Sequence, residues 1–228
     1  MEENAPTLLA SSSASSPPIG VLTCSPRSGG NSDTAARLFA QGYAAIAGRE
    51  PQPVMLREYT VLPCSGCDAC RRAICAPSES DLPWFGCPLA AKDHSAPLLS
   101  FLTEAPSLCL VSPIYFYHLP AQLKALLDRS QPFWHLADMG IDYFRAGERT
   151  CHIILIGARP KGKHLFEGSL LTLKYALATL RIKLAKPLLL YCLDQSSALA
   201  NDNRAKEQVL QYGRQAAEMC EAQDSLKK

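Results

Sequence analysis

Short apolar runs alternate along this chain with stretches whose apolar residues recur every three or four positions. The runs lie at 19–23, 54–59, 107–112, 151–157 and, as LLLYC, within 185–192. Continuous apolar runs of this length suit strands buried on both faces. Between them, helical spacing is read after residues 31–33, over 95–104, over 120–129 with Pro120 in the first turn, over 164–180 with Leu165, Leu170, Leu171, Leu173 and Leu177 as its stripe, and over 203–221. Strand and helix in alternation predict a parallel sheet covered on both faces, a three-layer α/β fold. Right-handed crossovers leave few topologies for five such strands, and 2-1-3-4-5 is the expected order. Ligands of these sheets lie beyond the carboxyl ends of the strands. The loops to inspect are therefore 24–34, 60–93, 113–119 and 157–163.

Three stretches carry no such period. Residues 1–18, MEENAPTLLASSSASSPP, are acidic first and then rich in Ser and Pro. They lack the basic start and apolar core of a secretory signal and are expected to be a mobile tail, leaving 19–228 as one domain. Residues 60–93 form a long segment of the kind that is usually functional. Residues 131–149 hold Phe133, Trp134, His135, Tyr143 and Phe144 in irregular order and are expected to be an aromatic loop over the site. In 228 residues, 47% are hydrophobic and 19% charged, with a net charge of +2. That balance suits an ordinary globular domain and favours neither nucleic acid nor a membrane surface as partner. No apolar run is long enough to span a bilayer, and a cytoplasmic protein is expected.

The stretch IGVLTCSPRSGGNSDTAARLFAQ, 19–41, reads as a strand, a small-residue loop and a helix start. Asn31, Ser32 or Asp33 would cap the helix. Free backbone N–H groups and the positive end of the helix dipole then point at one place, an anion site. Ser25, Ser32 and Thr34 add hydroxyls, and Arg27 adds a fork suited to phosphate. The sequence is neither GxxxxGKS/T nor GxGxxG, so the nucleoside triphosphate and dinucleotide loops are missing. A hydroxyl-rich loop suits a terminal phosphomonoester such as that of FMN; a plain turn of turn-forming residues is the alternative.

Of ten cysteines, five (Cys64, Cys67, Cys70, Cys75 and Cys87) crowd into 60–93. Cys109, Cys151 and Cys192 sit in apolar runs and are expected to be small core hydrophobes. Without a secretory signal, the crowded set reads as metal ligands rather than a disulfide frame. Cys64-x2-Cys67-x2-Cys70 is the spacing of a 4Fe–4S site, which needs a fourth thiolate, from Cys75 or Cys87. Structural zinc usually takes separated pairs or added histidines, and the nearest His, His94, lies outside the loop. Free thiols are the remaining alternative.

Three of these segments together resemble the iron–sulfur flavoproteins of the broad flavodoxin-like group that includes NAD(P)H-dependent FMN reductases. CSPRSGGNS resembles that family's GSPRxxGNT phosphate loop, with Cys24 in place of Gly. PCSGCDAC resembles its compact cysteine motif, and SPIYFYHLPAQLKALLDRS its flavin-contact loop and following helix. The resemblance runs over about 19–190 and implies a flavodoxin-like fold. It implies FMN phosphate on Ser25, Arg27, Asn31 and Ser32, and the isoalloxazine and ribityl chain against Pro113, Ile114, Tyr115 and Phe116. Gly157, Ala158 and Arg159 would lie at the other flavin edge, where positive charge near N1 stabilises the anionic reduced form. Counting back from Pro113, Cys87 takes the place of the family's fourth cysteine, with Asp93 nearby; counting forward from Cys70, Cys75 does. Cys87 is preferred, with an insertion, roughly APSESDLPWFG, on one side of it.

The resemblance thus implies an FMN-dependent electron-transfer oxidoreductase. A 4Fe–4S centre would connect one-electron donors such as ferredoxin to two-electron acceptors, with NAD(P)H as a possible transient donor. One alternative is an NAD(P)H-dependent FMN or quinone reductase whose cysteine loop is empty. Another, of a different class, is a non-enzymatic binding module with a zinc loop. His118, beside the flavin loop, is a proton-donor candidate or a plain surface histidine. Family members are usually homodimers or homotetramers, and the same is expected here.

Overall fold

The first apolar run becomes β1 (Gly20–Thr23), buried along its whole length. The computed structural model describes residues 19–75, 86–141, 143–144 and 147–226; the expected tail and residues 76–85 of the insertion lie outside them. β1 pairs in parallel with β2 (Val54–Met55) on one side and β3 (Ser107–Pro113) on the other, and β3 pairs in parallel with β4 (Arg149–Ile156). The far edge is made of two short pieces. β5 (Ile182–Leu184) lies against residues 149–151, and β6 (Leu188–Leu190) against residues 154–156. Every pairing is parallel and the order is β2-β1-β3-β4-β5, with β6 also on β4. This is the flavodoxin-like arrangement that the alternation of runs implies.

Successive residues of the inner strands face opposite layers, as the pleat demands. Leu22, Leu108, Leu110, Ile153 and Leu155 belong to one core, under α3 (Ser95–Glu104), α4 (Ala121–Asp128), α5 (Gln131–Asp138) and α6 (Glu167–Ala178). Val21, Cys109, Val111, Ile154 and Ile156 belong to the other, under α1 (Asn31–Ala47), α7 (Ala198–Asn201) and α8 (Asn203–Leu226). Each such side chain contributes about 2 kcal/mol by leaving water. Arg149, at the start of β4, is buried and spends its guanidinium on carbonyls near two helix ends: Leu102 in the last turn of α3 and Ala105 just after it, and Leu180 after α6. A cation there complements the negative ends of both helices.

α1 and α8 touch backbone to backbone. A Cβ on Gly42 would lie 2.1 Å from the Leu210 carbonyl oxygen, and one on Gly213 would lie 2.3 Å from that of Phe39. The two glycines face each other across the crossing and let the helices approach closer than any other residue would allow.

Four expectations are corrected. The second strand stops at Met55 and gives way to a 3-10 turn, Leu56–Glu58. The cysteine stretch is not wholly irregular, since it contains α2 (Ala69–Cys75). The aromatic segment begins as a helix, α5, with Pro132 in its first turn and Phe133 and Leu136 buried; its stripe is too short to register as a period. The LLLYC run stays in the sheet only through Leu190, and a strand that was not expected, Ile182–Leu184, fills the same edge before Pro187, which separates the two pieces. Cys192 consequently lies in a left-handed bend (φ 62°) and is exposed rather than in the core, while Cys109 and Cys151 are buried as expected.

Candidate functional site

The turn after β1 is a strand-to-helix loop held by its own polar atoms. The Ser25 hydroxyl accepts the Arg27 N–H (3.1 Å) and donates to the Arg27 carbonyl (3.2 Å). Gly29 takes a positive φ of 69°, the conformation that glycine adopts without steric cost. The N-cap of α1 is Gly30, which supplies no side-chain cap, and not Asn31, Ser32 or Asp33 as expected. The first helical bond runs from the Thr34 N–H to the Gly30 carbonyl (3.0 Å). Helix geometry therefore leaves the N–H groups of Asn31, Ser32 and Asp33 directed out of the N-terminus. Ser25 and Ser32 are buried at the loop's inner wall, and Arg27 is exposed at its rim.

Two members of this loop do something other than expected. The Asn31 side chain donates to the carbonyls of Leu193 (3.1 Å) and Gln195 (2.8 Å), and accepts the Leu199 N–H (2.9 Å). It fastens the loop after β6 to the helix start, so only its backbone N–H remains for an anion. Asp33, 2% exposed, accepts from the Gly29 N–H (2.8 Å), the Thr23 hydroxyl (3.3 Å) and the Arg57 guanidinium (2.9 Å). Arg57, from the turn after β2, is a contributor that the local sequence did not reveal.

The turn after β3 opens at the same sheet edge. Cys24 N–H bonds the Val111 carbonyl (2.8 Å) and Ile114 N–H bonds that of Ile156 (2.9 Å), so the loops after β1, β3 and β4 leave adjacent strands side by side. Tyr115 and His118 exchange both backbone bonds, each 2.9 Å. Between them, Phe116 (φ 49°) and Tyr117 (φ 65°) are both left-handed. That is the signature of a type I′ turn, where Asn and Gly are the usual occupants. Phe116 is fully exposed, and such strain gathers at functional sites. His118 is half-buried, with Nε2 3.0 Å from the Thr172 hydroxyl, which makes it a fixed residue of the α6 contact rather than a free surface histidine. In the third loop Gly157 stays in the ladder, its N–H on the Leu190 carbonyl and its own carbonyl on the Leu193 N–H. Ala158 and Arg159 are exposed beyond it.

The cysteine stretch encloses a cavity of about 330 Å³ lined by Cys64, Cys67, Cys70 and Cys87, with Asp128, Arg129 and His135 on its far wall. Cys75 does not line it and is exposed at the end of α2. Burial raises the Cys70 thiol, the Arg71 backbone N–H lowers it, and the charges of Cys87 and Cys64 raise it again, for a net rise. The Cys67 thiol is lowered by the Ala69 N–H and the Ser65 hydroxyl. Among the described residues, no three His, Cys, Asp or Glu side chains converge closely enough to hold a single ion. Behind the cavity lies a buried ion pair, Arg129–Asp93 at 2.6 Å, with side chains 2% and 0% exposed. Burial pushes the Asp93 carboxyl up. Bonds from Ser95, the Leu62 N–H and Arg129 outweigh that and hold it below the usual carboxylate value. Arg72 is exposed and donates to the Cys67 carbonyl (3.1 Å). His94 pairs with the Thr60 backbone through both its N–H and its ring.

A family model described as NADPH-dependent FMN reductase matches residues 17–145. The chain is 34% identical over 111 residues to an iron-sulfur flavoprotein of Methanocaldococcus jannaschii, covering 49% of this chain and 50% of that protein. It is 25% identical over 139 residues to an iron-sulfur flavoprotein of Archaeoglobus fulgidus, covering 61% and 60%. The chain thus spans only about half to three fifths of the length of these curated relatives. Among solved structures, an NAD(P)H:quinone oxidoreductase from Methanothermobacter marburgensis shares the fold with a TM-score of 0.61, over 87% of this chain and 93% of that one, at 16% identity. The family match extends from just before β1 to beyond α5, and so takes in the loop after β1, the cysteine stretch and the turn after β3 as one unit. On that coverage the chain belongs to the NADPH-dependent FMN reductase family.

Proposed function

We propose that this protein is an FMN-dependent oxidoreductase in which a 4Fe–4S cluster, held by Cys64, Cys67, Cys70 and Cys87, exchanges electrons with the flavin. The observation that carries the flavin half is the uncapped start of α1 beside two further loops on the same sheet edge. The FMN phosphate would take the N–H groups of residues 31–33, the Ser25 and Ser32 hydroxyls and the Arg27 fork. The ring and ribityl chain would lie against Pro113, Ile114, Tyr115 and Phe116, with Gly157, Ala158 and Arg159 at the other edge. Bound there, FMN supplies the exchange of one or two electrons, and the surrounding residues position it and set its charge environment.

For the cluster, the support is four thiols around one cavity rather than three converging on a point. Zinc–sulfur bonds of about 2.3 Å bring tetrahedral thiolates within about 4 Å of one another. A cube whose four irons each take one cysteine holds them further apart. Two relatives named as iron-sulfur flavoproteins point the same way. A ferredoxin-like protein would be the one-electron partner, in a homodimer or homotetramer.

The second reading is direct reduction by NAD(P)H with the cysteine loop empty. Arg159, Lys161 and Lys163 favour it, as an exposed basic loop beside the flavin edge that could meet a nucleotide phosphate. Anaerobic preparations with flavin, iron, sulfide and zinc analysis separate these readings: iron and sulfide with FMN support the first, and flavin without iron supports the second. Zinc without flavin would leave the binding module. For the phosphate loop, Arg27→Ala is expected to weaken FMN about 10-fold, the loss of one charge-assisted bond, and to leave riboflavin unchanged. Equal binding of FMN and riboflavin by the native protein would overturn the assignment.

A further inference from the structure

Arg129 occupies the residue after α4 and is 4% exposed. Its Nη1 donates to Asp93 (2.6 Å) and to the Leu62 carbonyl (3.1 Å), and its Nη2 lies 3.4 Å from Cys87 Sγ. Asp93 is fixed in turn by the Leu62 N–H (2.8 Å) and by the N–H (3.0 Å) and hydroxyl (2.7 Å) of Ser95. A guanidinium tied on one side to a carboxylate and a carbonyl cannot swing away, so its other N–H edge is committed to the sulfur. Cys75, the rival fourth thiol, lies off the cavity. The same helix is anchored near its start, where Gln122 Nε2 reaches the Leu56 (3.0 Å) and Tyr59 carbonyls. α4 therefore joins the turn after β2 to the wall of the cysteine cavity.

We infer that Arg129 is a positioning residue for the iron–sulfur site: held by Asp93, it fixes Cys87 as the fourth ligand and raises the cluster's reduction potential through an N–H···S bond. The inference rests on the proposed cluster. Hydrogen bonds to the ligating sulfurs are among the determinants of cluster potential. A bond from a cation favours the reduced state, which carries one more negative charge.

The test uses the full chain, reconstituted anaerobically with ferrous iron and sulfide. Iron, sulfide and an EPR-monitored redox titration are the readouts. Native protein and Cys75→Ser are expected to hold about four irons and four sulfides per chain, and Cys87→Ser to lose most of them. Arg129→Gln is expected to keep a cluster whose midpoint moves to more negative potential. Arg129→Lys keeps the charge but not the fork and serves if the glutamine variant fails to fold; its midpoint is expected to fall by less. Loss of iron in Cys75→Ser with retention in Cys87→Ser would overturn the ligand assignment. Unchanged midpoints in both Arg129 variants would overturn the role of the arginine while the cluster stands. A native protein that takes up flavin but no iron would remove the cluster itself, and the inference with it.

Discussion

At the scale of single residues, burial makes His152 sensitive to acid. It is 1% exposed on β4, against the rings of Phe39 and Tyr212, and among the described residues its Nε2 has no hydrogen-bond partner. Burial lowers its pKa from 6.5 to about 4. Above about pH 6.5 both folded and unfolded forms are neutral and the histidine imposes no pH dependence. Below that, the unfolded chain binds the proton first, so stability is lost as pH falls from about 6.5 to about 4, by roughly 3 kcal/mol in all. Urea midpoints at pH 7.5 and 5 should show this loss, and His152→Leu should flatten it; an equally steep profile in the variant would assign the effect elsewhere. Phe116 makes the opposite kind of prediction. Fully exposed and left-handed, it gives up strain of about 1 kcal/mol when replaced by a residue that tolerates that conformation. Phe116→Asn is therefore expected to stabilise the flavin-free protein by up to that amount in urea denaturation, while weakening FMN retention.

At the scale of elements, the crossing of α1 and α8 decides a contest between two known effects. Alanine in place of glycine within a helix normally gains about 1 kcal/mol in propensity. At Gly42 and Gly213 the new methyl would meet a carbonyl oxygen of the facing helix at 2.1 and 2.3 Å, and backbone on both sides cannot step aside. Gly42→Ala and Gly213→Ala are each expected to destabilise by about 3 kcal/mol, the upper range for overpacking, as read by the denaturant midpoint; a stabilised variant would mean that the helices can separate. This contact was invisible in the sequence, because the two glycines are 171 residues apart and each alone reads as a weak point in a helix. The same holds for Asp33 with Arg57, and for Arg129 with Asp93 and Cys87. What the sequence did carry was local: apolar runs for the strands, small polar residues for the turn after β1, and a seven-residue cysteine motif. Short elements escaped it. α2 and α5, of seven and eight residues, are not read as helices from it, and β5, which ends three residues before Pro187, is not read as a strand.

For the whole molecule, the sheet order and the two cores follow from the alternation of runs, and no described helix is long and apolar enough to cross a membrane. The proposed anion loop, at 24–34, is completed by residues 193–199. Asn31 is tied to Leu193, Gln195 and Leu199, and α1 lies on α8. A chain cut after residue 192 is expected to lose FMN binding although every residue proposed to touch the phosphate is present; tight binding by that fragment would show that the tie is dispensable. During synthesis, then, residues through Leu199 must leave the ribosome before the Asn31 tie can form, and flavin loading at the proposed cradle is expected to follow that event rather than precede it.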